Sequence, residues 1–180
     1  ASETLAQTEK LAYEWVSNWA MCAGSVVHYW LKVMTEKGVD DFSARRIRAD
    51  RPLFRRQLIS LGISTDDLER ATDRVVDALL GAIADERGRW ILSAAHAQSQ
   101  CELPLTTLHN GRFRNVVIDR TFVAPDGYRW LIDYKISSHE GGDLAAFLVQ
   151  EAARHAEQLR TYRQALTALW NEPVRSALYF

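Results

Sequence analysis

The chain has 180 residues, enough for one ordinary domain whose core needs neither disulfides nor a structural metal. Hydrophobic residues make up 47% and charged residues 25%, with 9 glycines and 4 prolines, a composition that excludes a disordered or fibrous protein. The net charge of −1 excludes a uniformly basic polyanion binder, so any grip on nucleic acid must come from a local basic surface.

No apolar run approaches the roughly 20 residues that span a bilayer, and no basic segment followed by an apolar one opens the chain. The sequence therefore reads as cytoplasmic, with no membrane partner. Cys22 and Cys101 lie far apart without CxxC spacing, so thiolates alone build neither a zinc site nor an iron–sulfur cluster. Both read as buried, reduced thiols. Beginning at Ala1 without methionine and ending on Ala-Leu-Tyr-Phe, the sequence reads as one domain, 1–180, excised from a longer protein. It holds no internal repeat and no Walker-type phosphate loop, so ATP hydrolysis is not encoded in it.

From Glu3 to Glu36, Leu5, Leu11, Trp15, Trp19, Val26 and Trp30 recur near the helical period, with Gly24 marking a break and His28 on the second stretch. The three tryptophans read as core. Arg45 to Arg56 is dense in arginine and reads as a solvated face. Ser64-Thr65-Asp66-Asp67 offers caps for an amphipathic helix to about Glu86.

Near Trp90 the period changes to 2. Gln100 to Leu105, Phe113 to Val123 and Tyr128 to Ile136 read as three strands, joined by turns at His109-Asn110-Gly111 and Ala124-Pro125-Asp126-Gly127. Asp143 caps a helix from Leu144 to about Trp170, ended by Asn171-Glu172-Pro173, and Val174 to Phe180 returns to strand character.

The chemistry concentrates in the second and third strands. Folding them at Pro125-Asp126-Gly127 brings Asp119 opposite or diagonal to Asp133. Alternation puts Asp133 and Lys135 on one face, leaving Ile132, Tyr134 and Ile136 on the other to pack on helices. Two carboxylates about 5 Å apart repel by roughly 3 kcal/mol at an effective dielectric of 20, a cost that a divalent cation offsets. Hard oxygen ligands of this kind suit Mg²⁺, with Mn²⁺ as a substitute, and point to phosphodiester chemistry. Lys135 would orient the attacking water and stabilise negative charge.

Val117-Ile118-Asp119-Arg120 followed by Ile132-Asp133-Tyr134-Lys135 resembles the signature of the PD-(D/E)XK nucleases, and nearly the whole chain resembles their RecB-like branch. Gly24-Ser25-Val26-Val27-His28 looks like that branch's helix histidine motif, Glu102-Leu103-Pro104-Leu105 like its first strand, and Gln158-Leu159-Arg160-Thr161-Tyr162 like its QxxxY motif. The order along the chain agrees, and Gln158 and Tyr162 sit four apart on one helical face. Ile136 stands where the family usually has threonine, and Asn115-Val116-Val117 replaces a usual glycine.

The resemblance implies a restriction-endonuclease-like α/β core, a small mixed β-sheet flanked by helices, with a helical N-terminal half. It implies His28, Asp119, Asp133 and the Tyr134 carbonyl as metal ligands, Lys135 as catalytic, and Gln158 and Tyr162 as positioning the site and its DNA. Glu102 is an accessory acidic candidate. His96, His109, His139 and His155 carry no assigned role. No iron–sulfur cluster is expected. Domains of this branch belong to the C-terminal parts of bacterial helicase–nucleases of the RecB or AddA kind, which implies DNA, a helicase domain of the parent chain and a partner subunit as partners, near the nucleoid. Two rivals remain: a non-catalytic DNA-binding or scaffolding module of the same fold, and a self-contained site-specific endonuclease.

Overall fold

A computed structural model of the chain describes residues 2–109, 111–136, 143–170 and 172–180, with the backbone alone at 2–18, 108, 109 and 144. The chain divides into two compact units, Ala1–Leu92 and Ser93–Phe180. The boundary falls where the sequence period changes from helix to strand.

The first unit is helical: α1 (Ser2–Lys37), α2 (Ala44–Ala49), α3 (Arg51–Ser60), α4 (Thr65–Ala84) and α5 (Glu86–Ile91), with a 3-10 turn at Val39–Asp41. The expected break at Gly24 is absent, and α1 runs through it. One glycine costs a helix about 1 kcal/mol, whereas its neighbours Ala23, Val26, Val27, Trp30 and Leu31 are all buried. Tertiary packing therefore overrides the local preference. Trp30 packs edge-on against Phe42 and Phe54 and donates its indole N–H to Gln57 at 2.8 Å, which establishes it as core. The Ser64 hydroxyl accepts from the Asp67 amide at 3.2 Å, and Asp66 and Asp67 lie in the first turn where the helix dipole favours them. The expected helix to about Glu86 is thus α4, ending at Ala84, and the short α5 after it has its own cap in Asp85. The Trp15 side chain lies outside the described residues.

The second unit is a four-stranded mixed sheet in the order β1 (Ala97–His109), β2 (Arg112–Val123), β3 (Arg129–Tyr134), β4 (Val174–Tyr179), with α6 (Leu144–Leu169) between the last two strands. β1–β2 and β2–β3 are antiparallel, and β3–β4 is parallel. The β2–β3 turn closes as expected: the Gly127 amide donates to Ala124 at 2.9 Å, Asp126 accepts from the Tyr128 amide, and Gly127 takes the left-handed φ of +81° that glycine tolerates. Asp143 caps α6 by accepting from the Ala145 and Ala146 amides. Asn110, His139 and Asn171, and the His109 side chain, lie outside the described residues.

The core of this unit forms where α6 crosses the sheet. Ile118, Leu131 and Leu166 are fully buried, with Leu103, Leu105, Leu159, Tyr162, Trp170 and Val174 packed around them. β3 is buried at every residue but the half-buried Trp130, as suits a strand flanked by partners on both sides. The apolar face of β3 was expected to be the helix-covered one. Instead α6 covers the face that carries Leu131 and Asp133, because Gln158 on α6 donates to Asp133. No helix among the described residues is long and apolar enough to cross a membrane.

Candidate active site

The second β-hairpin sets the acidic pair. Its ladder pairs Arg120 with Ile132 and then opens, which leaves Asp119 beside Asp133 as the next step of the same register. The opening is filled by a side chain: Asp119 Oδ2 accepts the backbone amide of Tyr134 at 2.7 Å. Asp119 is thereby held where β2 and β3 part, and the Tyr134 peptide is oriented by it.

β3 ends at Tyr134, two residues short of the expected Ile136, so Lys135 is the first residue past the strand. Its amide still donates to the Tyr179 carbonyl of β4 at 2.8 Å. Its ammonium lies 2.7 Å from Asp133 Oδ2 with a side chain 20% exposed. The C-terminal strand thus fixes the lysine at the mouth of the site. Asp133 itself is 4% exposed. Burial pushes its carboxyl above the usual aspartate range; the bonded Lys135 ammonium pulls it back, and the neighbouring Asp119 charge adds to the rise.

Glu102 stands opposite Asp119, between the paired steps Cys101 with Arg120 and Leu103 with Ile118. It has a left-handed φ of +52°, unusual for a residue with a side chain. The ladder keeps its register through this residue, and its one shift lies between Ala97 and Gln100. Ile118 and Leu131 both join the core against α6 although they have opposite parity in the register. Carboxylate oxygens of Glu102 and Asp119 come within 4.8 Å of each other. Glu102, Asp119 and Asp133 therefore bring three carboxylates to one end of the sheet.

From α6, Gln158 Nε2 donates to Asp133 Oδ1 at 3.3 Å and to the Tyr162 hydroxyl at 2.9 Å. With both its N–H groups used as donors, the carboxamide oxygen is left to accept from His155 Nδ1 at 3.1 Å. His155 Nε2 lies 3.6 Å from the buried Glu151, which also pairs with Arg154 at 2.7 Å. Sequence reasoning assigned His155 no role and did not single out Glu151. The signal was present as the spacing Glu151, His155, Gln158, one stripe of a helix, but only the docking of α6 selects that stripe from the others. His96, by contrast, stacks on Phe122 at 3.9 Å as a packing residue. His28 is half-buried on α1 of the helical unit.

Adjacent carboxylates, one of them raised in pKa by burial and by its neighbour, fit a hard divalent cation, which would relieve both costs. Asp119, Asp133 and Glu102 are the residues of the sheet unit that could hold it. When bound, such a cation supplies charge neutralisation at a phosphate and an acidified water.

A four-stranded mixed sheet with a crossing helix, a carboxylate on each of its two central strands and a lysine just past the end of the third strand define a restriction-endonuclease-like α/β protein. The chain belongs to the PD-(D/E)XK nuclease superfamily, whose sequence profile it matches over residues 8–180. No curated protein matches it. Both cysteines are free, Cys22 buried and Cys101 partly so.

Proposed function

We propose that this chain hydrolyses DNA phosphodiester bonds with Mg²⁺ or Mn²⁺, acting as the exonuclease part of a RecB-like helicase–nuclease in DNA end processing and recombinational repair. The observation that carries the reading is the junction of the Asp119 carboxylate with the Tyr134 amide beside the Asp133–Lys135 pair. That junction fixes two acidic groups and one ammonium within a single site, and superfamily membership supplies the reaction class.

In this reading Asp119 and Asp133 hold the cation, and the Tyr134 carbonyl and His28 complete its protein ligands, the latter on the strength of its sequence motif alone. Glu102 assists beside Asp119. Lys135, held at the mouth beside Asp133, orients the attacking water and stabilises charge developing on the phosphate. Gln158 keeps Asp133 pointed at the site, and Tyr162 holds Gln158. The helicase domain and partner subunit would deliver the DNA.

The test is cleavage of labelled single-stranded and duplex DNA with Mg²⁺ or Mn²⁺ by wild type, Asp133→Ala and Lys135→Ala at equal folded concentration. Metal-dependent cutting that falls at least about 100-fold in both variants is the expected result. Cutting by wild type that survives both changes would remove this site from the reaction. DNA binding without cutting would favour a binding or scaffolding module.

A further inference from the structure

β2 pairs with β3 only from Arg120 to Val123, yet its ladder with β1 continues out to Arg112. Leu103 and Leu105 are the last β1 residues packed against the α6 core. Beyond them the hairpin is a two-stranded ribbon, turned at Gly111 with φ +73°. Among the described residues, β2 has no strand partner on its β3 side before Arg120, which leaves that edge of the ribbon unpaired by any described strand from Asp119 outward.

The free end carries Arg112, Phe113, Arg114 and Asn115, all exposed. Phe113 is 81% exposed, more than Leu148, Val149 or any other large apolar side chain of the sheet unit that reaches solvent. Neither the Arg112 nor the Arg114 guanidinium makes a hydrogen bond or ion pair among the described residues. In the helical unit Arg46, Arg51 and Arg55 each face a carboxylate, whereas Arg45, Arg48 and Arg56 are exposed like Arg112 and Arg114. Among the described side chains, nothing covers this phenyl or pairs with these two cations, and a two-stranded ribbon has little stability to spare.

Alternation places Arg112 and Arg114 on one side of the open edge and Phe113 on the other. A nucleic-acid strand lying along that edge would meet cations with its phosphates and a phenyl with a base. Phe113 is six residues from Asp119 along β2, a span of about 20 Å that matches about six nucleotides at the spacing of one DNA strand. The base must be unpaired and unstacked to accept the ring, which selects a single strand over a duplex.

We propose that the tip of the β1–β2 hairpin is a single-strand-binding element, with Arg112 and Arg114 on phosphates and Phe113 stacked on a base about six nucleotides from the bond at Asp119. The proposal rests on the nuclease reading for the position of the scissile bond, whereas the binding it asserts is measured without cleavage.

The experiment uses the whole chain, without divalent metal, and fluorescence anisotropy with a labelled oligothymidylate of about fifteen nucleotides, long enough to exceed the span. Phe113→Ala and the double change Arg112→Ala with Arg114→Ala are compared with wild type after unfolding curves show them equally stable, as the exposure of these side chains leads one to expect. Wild type should bind the long oligonucleotide. Each variant should lose about tenfold on it. No loss on the long oligonucleotide, no wild-type binding, or the same tip dependence on blunt duplex would each overturn the proposal. Unchanged binding with intact metal-dependent cutting would overturn the tip alone, and tip-dependent binding without cutting would overturn the nuclease reading alone.

Discussion

The two units use charge in opposite ways. In the helical unit the interior is apolar, built from residues such as Met34, Phe54, Leu58, Val75 and Leu79, while Arg51 and Arg55 meet Glu69 and Asp73 on the surface. In the sheet unit the interior itself is charged. Arg120 and Arg129 are fully buried, and Asp133 and Glu151 nearly so. Arg129 is paired with Glu172 at 3.0 Å, bonded to Gln98 and stacked over Trp170 at 3.9 Å, while Arg120 is bonded to Ser99 and to the Ser93 carbonyl and lies over Phe122. Surface pairs add little to stability, so the first unit is held by apolar packing. Buried charges cost desolvation that their partners must offset. The sheet unit, which also carries the proposed site, is the one that accepts that cost.

The contrast predicts unequal responses to losing one charge. Arg129→Ala leaves Glu172 without its partner and removes the cover of Trp170, and should cost about 3 kcal/mol in urea unfolding, the lower end for a buried pair because Glu172 is partly solvated. A loss below about 1 kcal/mol would show that the interior of this unit tolerates charge deletion as a surface does.

A smaller effect, with a defined sign, comes from Asp133. Its carboxyl is raised in the folded chain, first by burial. Its contribution is therefore fully present below the ordinary aspartate range and is lost as pH rises through the raised value. In the metal-free protein, wild type should become less stable than Asp133→Asn across that window, with a slope of at most one proton, or about 1.4 kcal/mol per pH unit. Superimposable pH–stability profiles for the two proteins would contradict the assigned burial cost, and added Mn²⁺ should remove the difference by raising wild type alone.

The smallest change is expected in the helical unit. Arg51→Met breaks contacts to both Glu69 and Asp73, yet solvent and salt screen all three groups, and the loss should stay within about 1 kcal/mol. A larger loss would mean that this surface network holds α3 to α4 and that the contrast between the units is overstated.

Much of this was legible in the sequence because it is local. Ser64, Asp143 and Pro125-Asp126-Gly127 mark two helix starts and a turn through bonds within three residues, and the structure has all three. The neighbourhood of Asp119 and Asp133 follows from one tight hairpin, and the place of Lys135 from counting two further residues. The misreadings were cases in which distant groups decide. Gly24 was taken as a break because its cost is local and the packing that outweighs it is not. His155 was set aside because a lone helical histidine is usually a packing residue, and nothing nearby says which stripe of α6 meets Asp133.

The sequence by itself determined the order of elements, the turn that pairs β2 with β3, and the residue types a cation and a phosphate require, since these rest on periodicity, capping and short-range spacing. The tertiary structure decided what depends on long-range docking. Crossing the sheet with its Gln158 stripe, α6 drew His155 and Glu151 toward Asp133, and β4 took the Lys135 amide. The left-handed Glu102, held in β1 opposite Asp119, lies with its carboxylate close to that of Asp119. No propensity favours that conformation for glutamate, so only the pairing of β1 with β2 can hold it.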